Sequence, residues 1–148
     1  MTNIPSVDLN KFLSHDTKQK QDFVYEIGSA YEEIGFVSLK NHFLDNELMS
    51  DLYREVKAFF DLPESVKVKY EREELAGQRG YVSFGKEHAK GRSQGDLKEF
   101  WHFGQEPDQD ANLSETYPEN LDVKELPEFY PTGMKAYNAL EKTGIYVL

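Results

Sequence analysis

Apolar residues recur along the chain first at helical and then at strand spacing. Phe23, Ile27, Ala30, Tyr31 and Ile34 predict one apolar helix face. Asp16, three residues before Gln19, supplies a capping box for the start of that helix, which runs to about Glu33 and stops at Gly35. Upstream, IPSVDL reads as a short extended segment anchored by Ile4, Val7 and Leu9. Downstream, Phe36, Val37 and Leu39 predict a brief strand that ends at Lys40, Asn41 and His42. Asp45 is then the expected N-cap of a second helix with Glu47 in its first turn. Leu48, Leu52, Val56, Phe59 and Phe60 form its buried face, and Pro63 stops it and opens the turn PESVKVKY.

Beyond Leu75 the pattern changes. LAGQRGYVSFGKEHAKGRSQG holds five glycines in 21 residues, which would interrupt a helix, so Tyr81 and Phe84 are assigned to a short strand between flexible loops. KEFWHFG follows as a second strand, and QEPDQDANLSETYPEN as a surface loop. Pro131 opens a last helix reaching Leu148, with Met134, Tyr137, Leu140, Gly144 and Val147 on one side. GIYVL brings no cap, turn residue or charged tail, leaving two readings open: an ordinary terminal helix, or a longer protein cut within an element. The fold class expected is α/β, in the α+β sense of helices with short strands.

Composition narrows the chemistry. At 148 residues the chain fits one domain with a sizeable core, to which 20 aromatic residues contribute. Without cysteine there are no disulfides, thiolates or cysteine zinc sites. No basic leader with an apolar run and no long apolar segment occurs, so a cytoplasmic protein without membrane partners is expected. The net charge of -10 is uneven. Asp96 to Glu128 carries ten acids against two lysines, whereas Ala76 to Gly95 carries Arg79, Lys86, Lys90 and Arg92 against Glu87. This acidity argues against nucleic acid as a partner, although the basic loop could hold one small anion.

No active site is self-evident. None of His15, His42, His88 and His102 is followed two residues later by Asp or Glu, the spacing that would aim an imidazole and a carboxylate to one side of a strand. His42 is expected to hydrogen-bond backbone at a strand end, His102 to be an edge residue satisfied by a neighbour or a site residue, and His88 to be solvated. Ser83 and Ser93 lack a nucleophile elbow. GQRGYVSFG matches neither phosphate-loop nor dinucleotide spacing. Arg79 and Tyr81 could approach a carboxylate-bearing ligand together; a salt bridge from Arg79 to the acidic stretch after Asp96 is the preferred alternative. Glu99 is expected to accept from a nearby arginine, and Glu32-Glu33 and Glu73-Glu74 to be solvated. No catalytic, cofactor-binding or metal-ligating residue is assigned.

The order of motifs carries more. IPSVDL, GFVSLKNHFL, FFDLPESVKVKY, GYVSFGKE and DLKEFWHFG together resemble the N-terminal region of the isopenicillin N synthase-like family of non-haem iron, 2-oxoglutarate-dependent oxygenases. The resemblance implies a helical and short-strand region flanking a double-stranded β-helix, or jelly roll, most of which this chain would lack. It implies an N-terminal domain over residues 1–120 and a connecting helix over 121–148 leading toward the catalytic part. It implies a complete protein that binds Fe(II) and 2-oxoglutarate, activates O2 and hydroxylates, desaturates or cyclises a small-molecule substrate. The family's His-x-Asp pair, distant histidine and Arg-x-Ser motif have no counterpart here, since Arg92 and Ser93 are adjacent. The chain alone is therefore expected to be inactive and to bind no cofactor, with self-association through surface that the barrel would cover. The alternative is a non-catalytic protein-binding or regulatory module. GFVSLKNHFL matches the family's Gly-Phe-Phe-x-Val-x-Asn-His-Gly segment, in which Asn41 and His42 shape the strand-to-helix connection; Phe43 replaces the usual glycine. Arg79 and Tyr81 lie where members of the family contact substrate.

Overall fold

The computed structural model describes residues 3–87, 95–106 and 117–147. His88, Arg92 and Ser93 lie outside them, as does much of the loop expected after Gln105. Two compact units emerge, residues 1–46 with 138–148 and residues 47–137.

In the first unit, β1 (Ser6–Asp8) pairs in parallel with β2 (Ser38–Lys40), Val7 opposite Leu39. Parallel neighbours need a crossover. It is supplied by α1 (Leu9–Leu13) and α2 (Thr17–Glu33). The expected capping at Asp16 is present: its carboxylate accepts from the backbone N–H of Lys18 and Gln19. The reciprocal half is not, because the Gln19 amide turns to the Asp16 carboxylate and the Asp16 N–H goes to Ser14 Oγ. The α2 helix ends where Gly35 takes φ +79° and its N–H reaches the carbonyls of Ala30 and Tyr31.

The short α1 was not apparent in the sequence. Asp8 caps it, while the same oxygen, Oδ1, accepts from Asn41 Nδ2 at 2.8 Å and so ties the end of β2 to the end of β1. Val7, Leu9 and Phe23 form the core, with Phe12, Ile27, Leu39, Phe43 and Tyr146 against them. Phe36 and Tyr31, both expected to be buried, are exposed. Strand β2 begins only at Ser38, which leaves Phe36 outside it, and Tyr31 lies beside the buried Ala30 at the margin of the helix's inner face.

The second unit holds α3 (Asn46–Phe60), apart from its first residue, and α4 (Glu64–Lys67), which begins directly after Pro63. Two 3-10 turns follow, Val68–Tyr70 and Glu73–Leu75. Then come β3 (Gly80–Val82) and β4 (Phe100–His102), an antiparallel pair. Phe59 is fully buried at the centre. Its ring lies 4.8 Å from Trp101, 5.0 Å from Phe129 and 5.7 Å from Tyr81, separations at which aromatic pairs add to simple burial.

Helix α5 (Phe129–Gly144) has residues in both units, dividing after Tyr137. It starts two residues before the expected Pro131, which sits in the first turn where its missing N–H costs nothing. The expected face is corrected as well. Leu140 is half exposed, and the buried positions are Phe129, Thr132, Gly133, Met134, Ala136 and Thr143. Gly133 allows this, because a Cβ there would stand 2.1 Å from Phe103 Cζ. The helix closes at Gly144, and a turn carries Tyr146 and Val147 onto the first unit's core.

Candidate functional site

Strand alternation in β3 and β4 sorts the side chains between a core and a cleft. Tyr81 and Trp101 face each other across the ladder and turn into the aromatic core. The neighbouring pairs, Val82 with Phe100 and Gly80 with His102, belong to the other face. Val82, Phe100 and His102 line a cleft of about 480 Å³, to which Gly77 and an edge of Tyr81 contribute. That volume suits a small molecule.

Two consecutive left-handed residues, Ala76 (φ +48°) and Gly77 (φ +78°), bring the chain round to the cleft. The turn places the Gly77 carbonyl 2.5 Å from His102 Nδ1. A carbonyl only accepts, so Nδ1 carries the proton and Nε2 is left as an acceptor in the neutral ring. His102 is thus satisfied by a neighbour, as expected, and it also lines a cavity.

The charges that line the cleft are paired. Lys86 Nζ reaches Glu71 at 2.7 Å and Glu73 at 3.0 Å, Arg72 pairs with Glu74, and Glu87 with Lys98. Burial pushes the Glu71 carboxyl up, but Lys86 and Ser83 outweigh it and hold the group below the usual carboxylate range. Glu73 and Glu74 are solvent-exposed, as are Glu32 and Glu33.

Behind the cleft lies a buried charge. Glu99 accepts from Lys67 Nζ at 2.7 Å and from the Tyr81 hydroxyl at 2.5 Å, both on Oε2. Lys67 also donates to the Phe60 carbonyl. Glu99 is therefore an acceptor, but for a lysine rather than the arginine expected, because α4 delivers Lys67 to it. Burial and then the Glu99 hydrogen bond push the Tyr81 hydroxyl far up, so it stays protonated and donates.

Arg79 is nearly buried and forms no ion pair among the described residues. Its guanidinium donates to the carbonyls of Gln78 (2.7 Å), Pro118 (3.1 Å) and Gln105 (3.5 Å). It lies against Gly104, where an added Cβ would be 1.9 Å from Arg79 Cζ. Asn120, which nothing in the sequence singled out, bonds both the N–H and the carbonyl of Gly104. Among the described residues of the acidic stretch, Arg79 meets the backbone carbonyls of Pro118 and Gln105 and no carboxylate; Asp108, Asp110 and Glu115 lie outside them. His42 also differs from expectation. Its buried Nδ1 has no hydrogen-bond partner among the described residues, and the bond that ties the strand end belongs to Asn41.

Among the described residues, no three His, Asp or Glu side chains converge to hold a metal. His42 belongs to the first unit and His102 to the second. The described residues by themselves do not fit an iron centre. No helix among them is long and apolar enough to cross a membrane.

Residues 4–127 match the family described as the N-terminal region of non-haem dioxygenase in morphine synthesis. A 1-aminocyclopropane-1-carboxylate oxidase of Dictyostelium mucoroides is 30% identical over 138 residues, covering 90% of this chain and 36% of the relative. A 2-oxoglutarate-Fe(II) type oxidoreductase of Aspergillus fumigatus is 30% identical over 145 residues, covering 92% of this chain and 42% of the relative. Among solved structures, a 2OG-Fe(II) oxygenase family protein from Caulobacter crescentus superposes with a TM-score of 0.82 at 32% identity, over 99% of this chain and 47% of that one. A full-length Neurospora crassa protein solved in complex with alpha-KG shares the fold, with a TM-score of 0.74 at 24% identity over 97% of this chain and 41% of that one. The chain thus spans between a third and a half of the length of these proteins. With five motifs in order, a family match over most of its length and the same fold as solved members, the chain belongs to the isopenicillin N synthase-like family of 2-oxoglutarate- and Fe(II)-dependent oxygenases, whose N-terminal region it represents.

Proposed function

We propose that the chain is the N-terminal portion of a 2-oxoglutarate/Fe(II)-dependent oxygenase that oxidises a small molecule by hydroxylation, desaturation or cyclisation, and that the 148 residues alone do not catalyse. The observation that carries this reading is the family match over residues 4–127 in a chain whose described residues assemble no metal-ligand set. In the complete enzyme, Fe(II) and 2-oxoglutarate would supply O2 activation from a jelly roll flanked by this region. Residues 1–120 would then be the N-terminal domain and 121–148 the connection toward the catalytic part. Tyr81 would serve the substrate side through its edge in the cleft wall, and Arg79 by fixing the chain at the entry to β3.

The test is the intact mass of the native gene product followed by an assay for succinate formed from 2-oxoglutarate. The expected result is a product well above 17.2 kDa that consumes 2-oxoglutarate only with Fe(II), while the isolated chain does not. Turnover by the isolated chain would overturn the proposed division of labour. A native product of 17.2 kDa would favour the binding-module alternative.

A further inference from the structure

The cleft face of β3 and β4 has a chemical character of its own. Val82 and the Phe100 ring form an apolar wall, and the Phe100 and His102 rings meet 4.8 Å apart at 54°. His102 Nδ1–H is committed to the Gly77 carbonyl, and the ring has no second hydrogen-bond partner among the described residues. The neutral ring is therefore held in one tautomer, with Nε2 as a hydrogen-bond acceptor beside an apolar surface. Each charged lining residue already has an opposite charge beside it: Arg72 with Glu74, Lys86 with Glu71 and Glu73, and Glu87 with Lys98. An ionic ligand would have to compete with these pairs, whereas an uncharged one would not.

We propose that this cleft binds an uncharged molecule with a flat apolar body and one hydroxyl or N–H donor, and that His102 Nε2 accepts that donor's hydrogen bond. Resting on the oxygenase reading, this molecule is the compound the complete enzyme oxidises, and His102 is a specificity-determining contact rather than an iron ligand. The flat body lies against Phe100 and Val82. A ligand without the donor leaves Nε2 unpaired when it is covered, and a ligand with a carboxylate opposes the imidazole lone pair with negative charge.

The test is a titration of the protein, labelled with 15N-histidine, with 2-naphthol. The controls are 2-methoxynaphthalene, which keeps the rings and lacks the donor, and 2-naphthoate, which is an anion. The His102 Nε2 resonance should move and saturate with 2-naphthol at a lower concentration than with either control. The methoxy compound and the anion should bind about five- to tenfold more weakly, the range expected for one net hydrogen bond. His102→Phe should lose the same factor for 2-naphthol and nothing for 2-methoxynaphthalene. His102→Gln, which keeps an acceptor, should lose less.

Equal affinity for 2-naphthol and its methyl ether, or no saturable shift of Nε2, overturns the proposal. The comparison among ligands on the unaltered chain decides this even if a variant fails to fold. No iron or 2-oxoglutarate enters the titration, so its failure leaves the oxygenase reading standing. Failure of the long gene product to consume 2-oxoglutarate would remove that reading and leave the cleft's ligand chemistry intact.

Discussion

Glu99 shows how one carboxylate holds several segments together. It joins Lys67 of α4 to Tyr81 of β3 from its place beside β4. Burial alone would raise its carboxyl; the Lys67 ammonium and the Tyr81 hydroxyl more than offset this and set it below its ordinary value of 4.5. A carboxyl depressed in the folded state contributes stability above that ordinary value and loses it as pH falls through the folded value. Glu99→Gln should therefore cost about 3 kcal/mol at pH 7, the lower end for removing one partner of a buried pair, because it leaves a buried ammonium without its counter-charge. The gap from wild type should narrow below pH 4.5, as the native carboxyl itself protonates. Urea denaturation of both proteins at pH 7 and pH 4 measures this directly. A gap that stays constant with pH would mean that Lys67 does not depend on the ionised carboxylate.

At the scale of the element, two helical glycines make opposite predictions. Gly28 in α2 has open space where a Cβ would go, with no atom within 4 Å, so Gly28→Ala should raise stability by about 1 kcal/mol through helix propensity. Gly133 in α5 faces the Phe103 ring, and Gly133→Ala should lower stability by about 1 to 3 kcal/mol despite the same gain in propensity. Thermal melts of the two variants give the signs. The contrast also shows what the sequence could reveal. The α2 and α3 helices, the two short strands around Tyr81 and Trp101 and the cap at Asp16 were legible, because spacing and capping chemistry are local, although Phe84 falls outside β3 and is exposed. The inner face of α5 was not, since a glycine becomes a buried position only when Phe103 arrives from 30 residues away. Likewise, Arg79 could be recognised as a residue with several donors, but its acceptors are carbonyls at positions 78, 105 and 118, and carbonyls leave no mark in a sequence. The His102 cleft was half legible: alternation set the histidine apart from Trp101, while the Gly77 carbonyl that fixes its tautomer depends on two left-handed residues in succession.

Across the whole molecule, the net charge of -10 rests on carboxylates, several of which are held below their ordinary range by local bonds. Asp8 is lowered by Asn41 and the Asn10 N–H, Asp16 by the N–H groups of Lys18 and Gln19, and Glu125 by Tyr70. Acid should therefore remove stability and charge together. Turbidity should peak near the isoelectric point of 4.8, and the melting temperature should fall as pH drops below 4.5 and then below 3.8, the ordinary values of Glu125 and of the two aspartates, toward their lower folded values. A melting temperature that is flat over that range would contradict the carboxylate bonds described above. The aromatic core of the second unit has another consequence. Trp101 is the chain's only tryptophan, and it is packed edge-on to Phe59 and Phe129 among residues 47–137. Its emission thus reports the packing of residues 47–137, whereas far-ultraviolet dichroism sums the helices of both units. Following both signals through a single denaturant series makes the protein its own two-channel instrument, with no dye or label added.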